Sequence, residues 1–125
     1  MTLELLTQYF TVCKVPTLSP ELLQEEFCFV GKTDSELSLV CRTSAVPAET
    51  NAREDGWRAL RVAGTMEFSL VGILAELSGV LAAAGVSIFA VSTYDTDYIL
   101  VKEPQLQPAV DALSDRGIVV LTPGV

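Results

Sequence analysis

The chain has 125 residues, half of them hydrophobic, with 16 acidic side chains, 8 basic ones, no histidine and a net charge of −8. That composition suits one domain, or two very small ones, with a substantial core, and it argues against intrinsic disorder. The acidic balance argues against a nucleic acid or an anionic membrane as partner, since both need Lys and Arg gathered on one face.

Met1 to Phe10 holds Glu4 and lacks the basic start of a signal peptide, so the expected location is cytoplasmic. Phe10 to Val15 reads as a strand. In "SPELLQEE", Ser19 offers an N-cap and Pro20 suits the first helical position, which predicts a short helix. "FCFVGK" and "ELSLVCR" then read as neighbouring strands, and "PAETNARED", residues 47–55, as another short helix. Cys13, Cys28 and Cys41 fall inside these apolar runs. They form no CxxC pair and have no histidine to complete a zinc site. They read as reduced thiols, at least two of them buried, with no metal and no cofactor.

"WRALRV" from Trp57 predicts a strand continuing towards Met66. Ser69 is placed to cap a helix from about Leu70 to Ala84, with Leu70, Ile73, Leu74, Leu77, Leu81 and Ala84 at helical spacing and Gly85 as its stop. The apolar run Val71 to Val91 approaches the length of a membrane span, but Gly85 splits it into a helix and a β-rich segment. A strand over Val86 to Ser92, a polar tip and a partner strand from Tyr98 to Lys102 predict a hairpin. Pro104 opens a second helix that buries Leu106, Ala109, Val110 and Leu113, Gly117 ends it, and "IVVL" from Ile118 is the last strand. The order β-α-β-β-α-β is the ferredoxin-like arrangement, so the fold class is α+β with antiparallel sheets and helices on one face.

The first half repeats that order in shortened form. "TDSELSLV" from Thr33 lies over "TYDTDYILV" from Thr93 with one residue inserted, at an offset of 60 to 61 residues. This predicts a tandem duplication, with a shortened unit over 1–60 and a second unit over 61–125, and with the strand near 57–66 open to being shared.

Catalysis is not expected, because the commonest general base is absent and no carboxylate pair faces another across a cleft. Two constellations stand out. One is the helix start in "EFSLVGIL", where free N–H groups and Gly72 offer an anion a close approach. The other is the hairpin tip with Thr93, Asp95, Thr96 and Asp97. The bland readings are a helix cap with a packing glycine, and aspartates that cap their own turn. We expect the loop after the strand and the hairpin tip to lie at opposite ends of a unit. A second unit or a second chain would then be needed to bring Ser69 and Asp97 together.

Gly64 to Glu103, "GTMEFSLVGILAELSGVLAAAGVSIFAVSTYDTDYILVKE", resembles the ACT domain, a small β-α-β-β-α-β regulatory module that binds amino acids. Within that family it is most similar to tandem ACT-like proteins related to aspartokinase regulatory domains and cytosolic arginine sensors. The resemblance implies an allosteric sensor that binds an amino acid at an interface between ACT units and forms homodimers. Carried over by position, Ser69, Leu70, Val71 and Gly72 match the family's ligand loop, and Thr93, Asp95, Thr96 and Asp97 its hairpin segment. The family's commoner loop has an acidic residue and a Pro-Gly pair. Here Gly72 is present and the proline is not. The alternative reading is a structural, dimerising module without a small-molecule ligand.

Overall fold

Among the described residues, period-2 alternation and pairing partners produce eight strands, and two segments of helical spacing produce two α-helices. The computed structural model describes residues 1–63 and 72–123. In chain order the elements are β1 (Thr2–Leu5), β2 (Phe10–Lys14), β3 (Phe29–Lys32), β4 (Leu37–Arg42), β5 (Ala52–Val62), α1 (Ile73–Ala83), β6 (Phe89–Ser92), β7 (Asp97–Lys102), α2 (Leu106–Asp115) and β8 (Val119–Leu121). They form two compact units. Gln8–Trp57 is the smaller one, and Met1–Thr7 with Arg58–Val125 is the larger.

In the larger unit, β5, α1, β6, β7, α2 and β8 follow the ferredoxin-like order. β1 adds a strand to it. It pairs antiparallel with β5, Leu3 opposite Val62, and parallel with β8, Thr2 opposite Val119. β1 therefore occupies the place between the first and last strands of the motif. β7 pairs with β5 on one side and β6 on the other. Leu3, Leu60 and Val62 from the sheet meet Leu77 and Leu81 of α1 and Leu113 of α2 in one core, so both helices cover the same face. On the opposite face Glu4 and Arg61 form an ion pair at 3.4 Å. Both helices stop where their glycines predict. Val86 N–H donates to Leu81 O (2.9 Å) after α1, and Ile118 N–H to Leu113 O (3.1 Å) after α2, the hydrogen bond of a Schellman ending.

The smaller unit is built on β3–β4–β2 with the first half of β5. Its core holds Cys13, Val15, Leu22, Leu39 and Cys41. The one or two helical turns expected after Ser19 are present as a 3₁₀ helix over Pro20–Gln24 with Pro20 at its start, but Ser19 makes no side-chain cap. The short helix predicted over residues 47–55 is overturned. Ala52, Arg53 and Glu54 pair with Lys14, Cys13 and Val12, so the ladder offered by β2 outweighs the local preference of a charged segment. The pairing slips by one residue between Phe10 and Val12, next to Gly56.

The hairpins show the duplication more plainly than the sequence does. Lys32 pairs with Leu37 and Phe29 with Val40, while Ser92 pairs with Asp97 and Phe89 with Leu100. The offset is a constant 60 residues, and the expected one-residue insertion is absent. The turns match as well. Thr33 N–H donates to Glu36 O (2.9 Å), and Thr93 N–H donates to Thr96 O (2.8 Å).

Cys13 and Cys41 are buried, Cys28 is half-buried, and none is in a disulfide. Burial pushes the Cys41 thiol from 9.0 up to about 12, with Cys13 and Cys28 adding to the effect. Because the folded state holds the neutral thiol, the stabilisation is complete below pH 9.0 and is lost as pH rises towards about 12. Urea midpoints should therefore fall across that range, and the fall should be smaller in Cys41→Val. Equal alkaline losses in the two proteins would show that Cys41 titrates as freely folded as unfolded.

Candidate functional site

The two candidate constellations belong to the larger unit, and its topology decides how they relate. After β5 the chain passes through α1 and returns, so β6 runs in the same direction as β5 and ends at the same end of the sheet. Thr96, just before β7, accordingly sits against Val62, the last residue of β5. Its Oγ1 donates to the Val62 carbonyl at 2.7 Å. The expectation that the loop after β5 and the hairpin tip lie at opposite ends is thus wrong. The crossover brings them to one end.

At the tip, Thr93 closes the turn. Its N–H and Oγ1 both donate to Thr96 O, at 2.8 and 3.1 Å, and Oγ1 accepts the Thr96 N–H at 3.4 Å. Thr93 and Asp95 are exposed, and Tyr94 between them is 90% exposed. Thr96 and Asp97 are buried, at 9% and 8% exposure. The hydroxyls therefore serve the turn and its attachment to β5, and Thr93, not one of the aspartates expected to cap the turn, makes the side-chain hydrogen bonds that close it. Asp97 is the first residue of β7 and pairs with Ser92.

The duplication isolates what is unusual about Asp97. At the equivalent strand position the smaller unit carries Leu37, which packs on that unit's core. Thr96 stands where that unit has the exposed Glu36. The fold by itself thus accepts an apolar side chain at the Asp97 position, and an ionised carboxylate in such a place needs a partner. This contrast is legible in the sequence once the hairpins are laid over each other without a gap.

At the start of α1 the N-cap is Gly72, not Ser69 as predicted, and no side chain caps the helix. Gly72 lies in the left-handed region (φ 90°), and among the described residues a Cβ built on it meets nothing within 4 Å. The positive φ is itself a reason for glycine here. The first intrahelical bond is Glu76 N–H to Gly72 O (2.8 Å), which leaves the N–H groups of Ile73, Leu74 and Ala75 ahead of it. Ser69, Leu70 and Val71 lie outside the described residues. Among the described residues Gly72 shares no side-chain hydrogen bond with the hairpin tip, and no group of His, Cys, Asp and Glu is arranged to hold a metal ion. No described helix is long and apolar enough to cross a membrane.

A β-α-β-β-α-β unit of this order defines the ferredoxin-like class of α+β folds. The ACT domain family matches residues 52–115, and the chain belongs to that family. Over 68 residues, 54% of this chain, it is 35% identical to the cytosolic arginine sensor for mTORC1 subunit 1 of Rattus norvegicus and 34% identical to the Homo sapiens protein. The matched segment spans only about a fifth of those relatives, 20% and 21%. Among solved structures, protein Atu0741 from Agobacterium tumefaciens has a TM-score of 0.88 and 27% identity, with 99% of this chain and 94% of that chain covered. The regulatory subunit of aspartate kinase from Thermus thermophilus has a TM-score of 0.61, with 90% of this chain and 95% of that one covered. At 13% identity it shares the fold alone.

Proposed function

We propose that the chain is a non-catalytic, cytoplasmic regulatory module that binds a free amino acid at the hairpin end of its larger unit. The observation that carries this reading is Asp97, a carboxylate 8% exposed at a strand position where the duplicate packs a leucine. An amino acid brings a cation and an anion on one carbon. Asp97 supplies the acceptor for the ammonium group or a basic side chain, and the N–H groups at the start of α1 supply donors for the carboxylate. Ser69, Leu70 and Val71 complete the anion side, and Thr93, Asp95 and Thr96 frame the cation side. A second ACT unit, supplied by another copy of the chain in a homodimer, closes over the ligand. The relatives named as an arginine sensor and as a regulatory subunit of aspartate kinase support this reading.

A thermal-shift screen of the full chain against the common amino acids tests it. A ligand at ~100 times its dissociation constant adds about 2.7 kcal/mol to stability. At least one amino acid should raise the melting temperature in a saturable way. A flat response to all of them at millimolar concentration favours the structural, dimerising module instead.

A further inference from the structure

The smaller unit gathers all of the chain's cysteines on one core. Their positions on the ladders are unequal. Val15 N–H donates to Leu37 O and Thr43 N–H to Tyr9 O, so Leu37, Leu39 and Cys41 turn their backbone hydrogen bonds towards β2. Thr33 N–H donates to Glu36 O, so Glu36, Ser38 and Val40 turn theirs towards β3. Phe29 opposite Val40 is therefore a hydrogen-bonded pair. Cys28 directly precedes β3 and follows Phe27, whose φ is 57°; carrying the register one step beyond Phe29–Val40 sets Cys28 opposite Cys41 at a non-hydrogen-bonded pair. Such pairs have Cα atoms about 4.5 Å apart, inside the ~4.4–6.8 Å range of disulfides. The equivalent residues of the larger unit are Ile88 and Val101, and both pack in its core. Cys13 is opposite Leu39 and hence diagonal to Cys41. Diagonal neighbours lie roughly 7–8 Å apart, beyond what a disulfide bridges without backbone movement.

We propose that Cys28 and Cys41 form a reversible cross-strand disulfide, with a low-molecular-weight disulfide as oxidant and Cys28 as the point of entry. Cys28 is the half-buried member, and Cys41 is fully buried behind it. The Cys28 thiolate attacks one sulfur of the oxidant, and one thiol leaves. The Cys41 sulfur then attacks Cys28 in the mixed disulfide, and the second thiol leaves. The two cysteine protons end on the two released thiols, so two cysteines are oxidised and one small disulfide is reduced. Cys13 takes no part.

Oxidised glutathione is the probe, used on the full native chain with unreduced peptide mapping. The parent should become two hydrogens lighter and yield a Cys28–Cys41 linked peptide, with Cys13 still open to alkylation after unfolding. Reduction should restore all three thiols. Cys41→Val, which installs the residue of the duplicate, should stop at a glutathione adduct on Cys28. Cys28→Ser should give neither adduct nor link, and this variant carries the test if Cys41→Val folds poorly. A link through Cys13, a lasting glutathione adduct on Cys28 of the parent, or no change of mass would overturn the proposal.

Discussion

Replacing Asp97 with leucine should abolish amino-acid binding and leave the chain at least as stable as the parent. The position is 8% exposed, and the duplicate already holds Leu37 there against its own core. Burying a leucine side chain is worth about 1.5–3 kcal/mol, and the change removes a carboxylate from a site with little water. Asp97→Asn keeps the shape and deletes the charge. A hydrogen bond to a charged group is worth about 1.5–3 kcal/mol, so affinity should fall roughly 10- to 150-fold. Isothermal titration calorimetry and urea unfolding on the same preparations read both quantities. A turn cap would behave in the opposite way, losing about 1 kcal/mol of stability with affinity unchanged. That outcome would assign Asp97 to the turn and remove the cation-binding half of the site.

Leu77→Ala should give the largest loss of stability among the changes considered, about 2–5 kcal/mol. Leu77 is fully buried, and it anchors α1 to the sheet together with Val80 and Leu81. Ile73, Leu74, Val80 and Leu81 pack on the same core, but Leu77 is the most deeply buried side chain of the helix. If the first turn of α1 supplies the carboxylate donors, as proposed, a loosened helix should also weaken ligand binding. The variant should lose affinity as well as stability, which Asp97→Leu separates. A stability loss below about 1 kcal/mol would mean that the larger unit does not depend on this contact.

Much of the larger unit was legible because its signals are local. Period 3.6 gives way to period 2 at Gly85, and Gly117 ends the second helix, so each boundary is written near its own element. What escaped the sequence depends on partners distant in the chain. Thr2–Leu5 has four residues and an ion-paired Glu4, and it is a strand because β5 and β8 flank it. Ala52 to Asp55 is charged and becomes strand because β2 offers its ladder. The relation between loop and hairpin is a property of the crossover, which no residue pattern displays. For the site, the types of side chain were legible and their burial was not. Thr93 and Thr96 proved to be the turn and its tether, and Asp97 stood out only when a gapless superposition set it against Leu37.

Chemical-shift mapping on the isotope-labelled full chain, titrated with the amino acids that raise its melting temperature, tests the central claim most directly. Saturable shifts are expected at the Thr96, Asp97 and Tyr98 amides and at the Ile73, Leu74 and Ala75 amides, with the Thr33 to Leu37 hairpin of the smaller unit unmoved. Shifts centred on that second hairpin, or none at the Asp97 end of the larger unit, would contradict it.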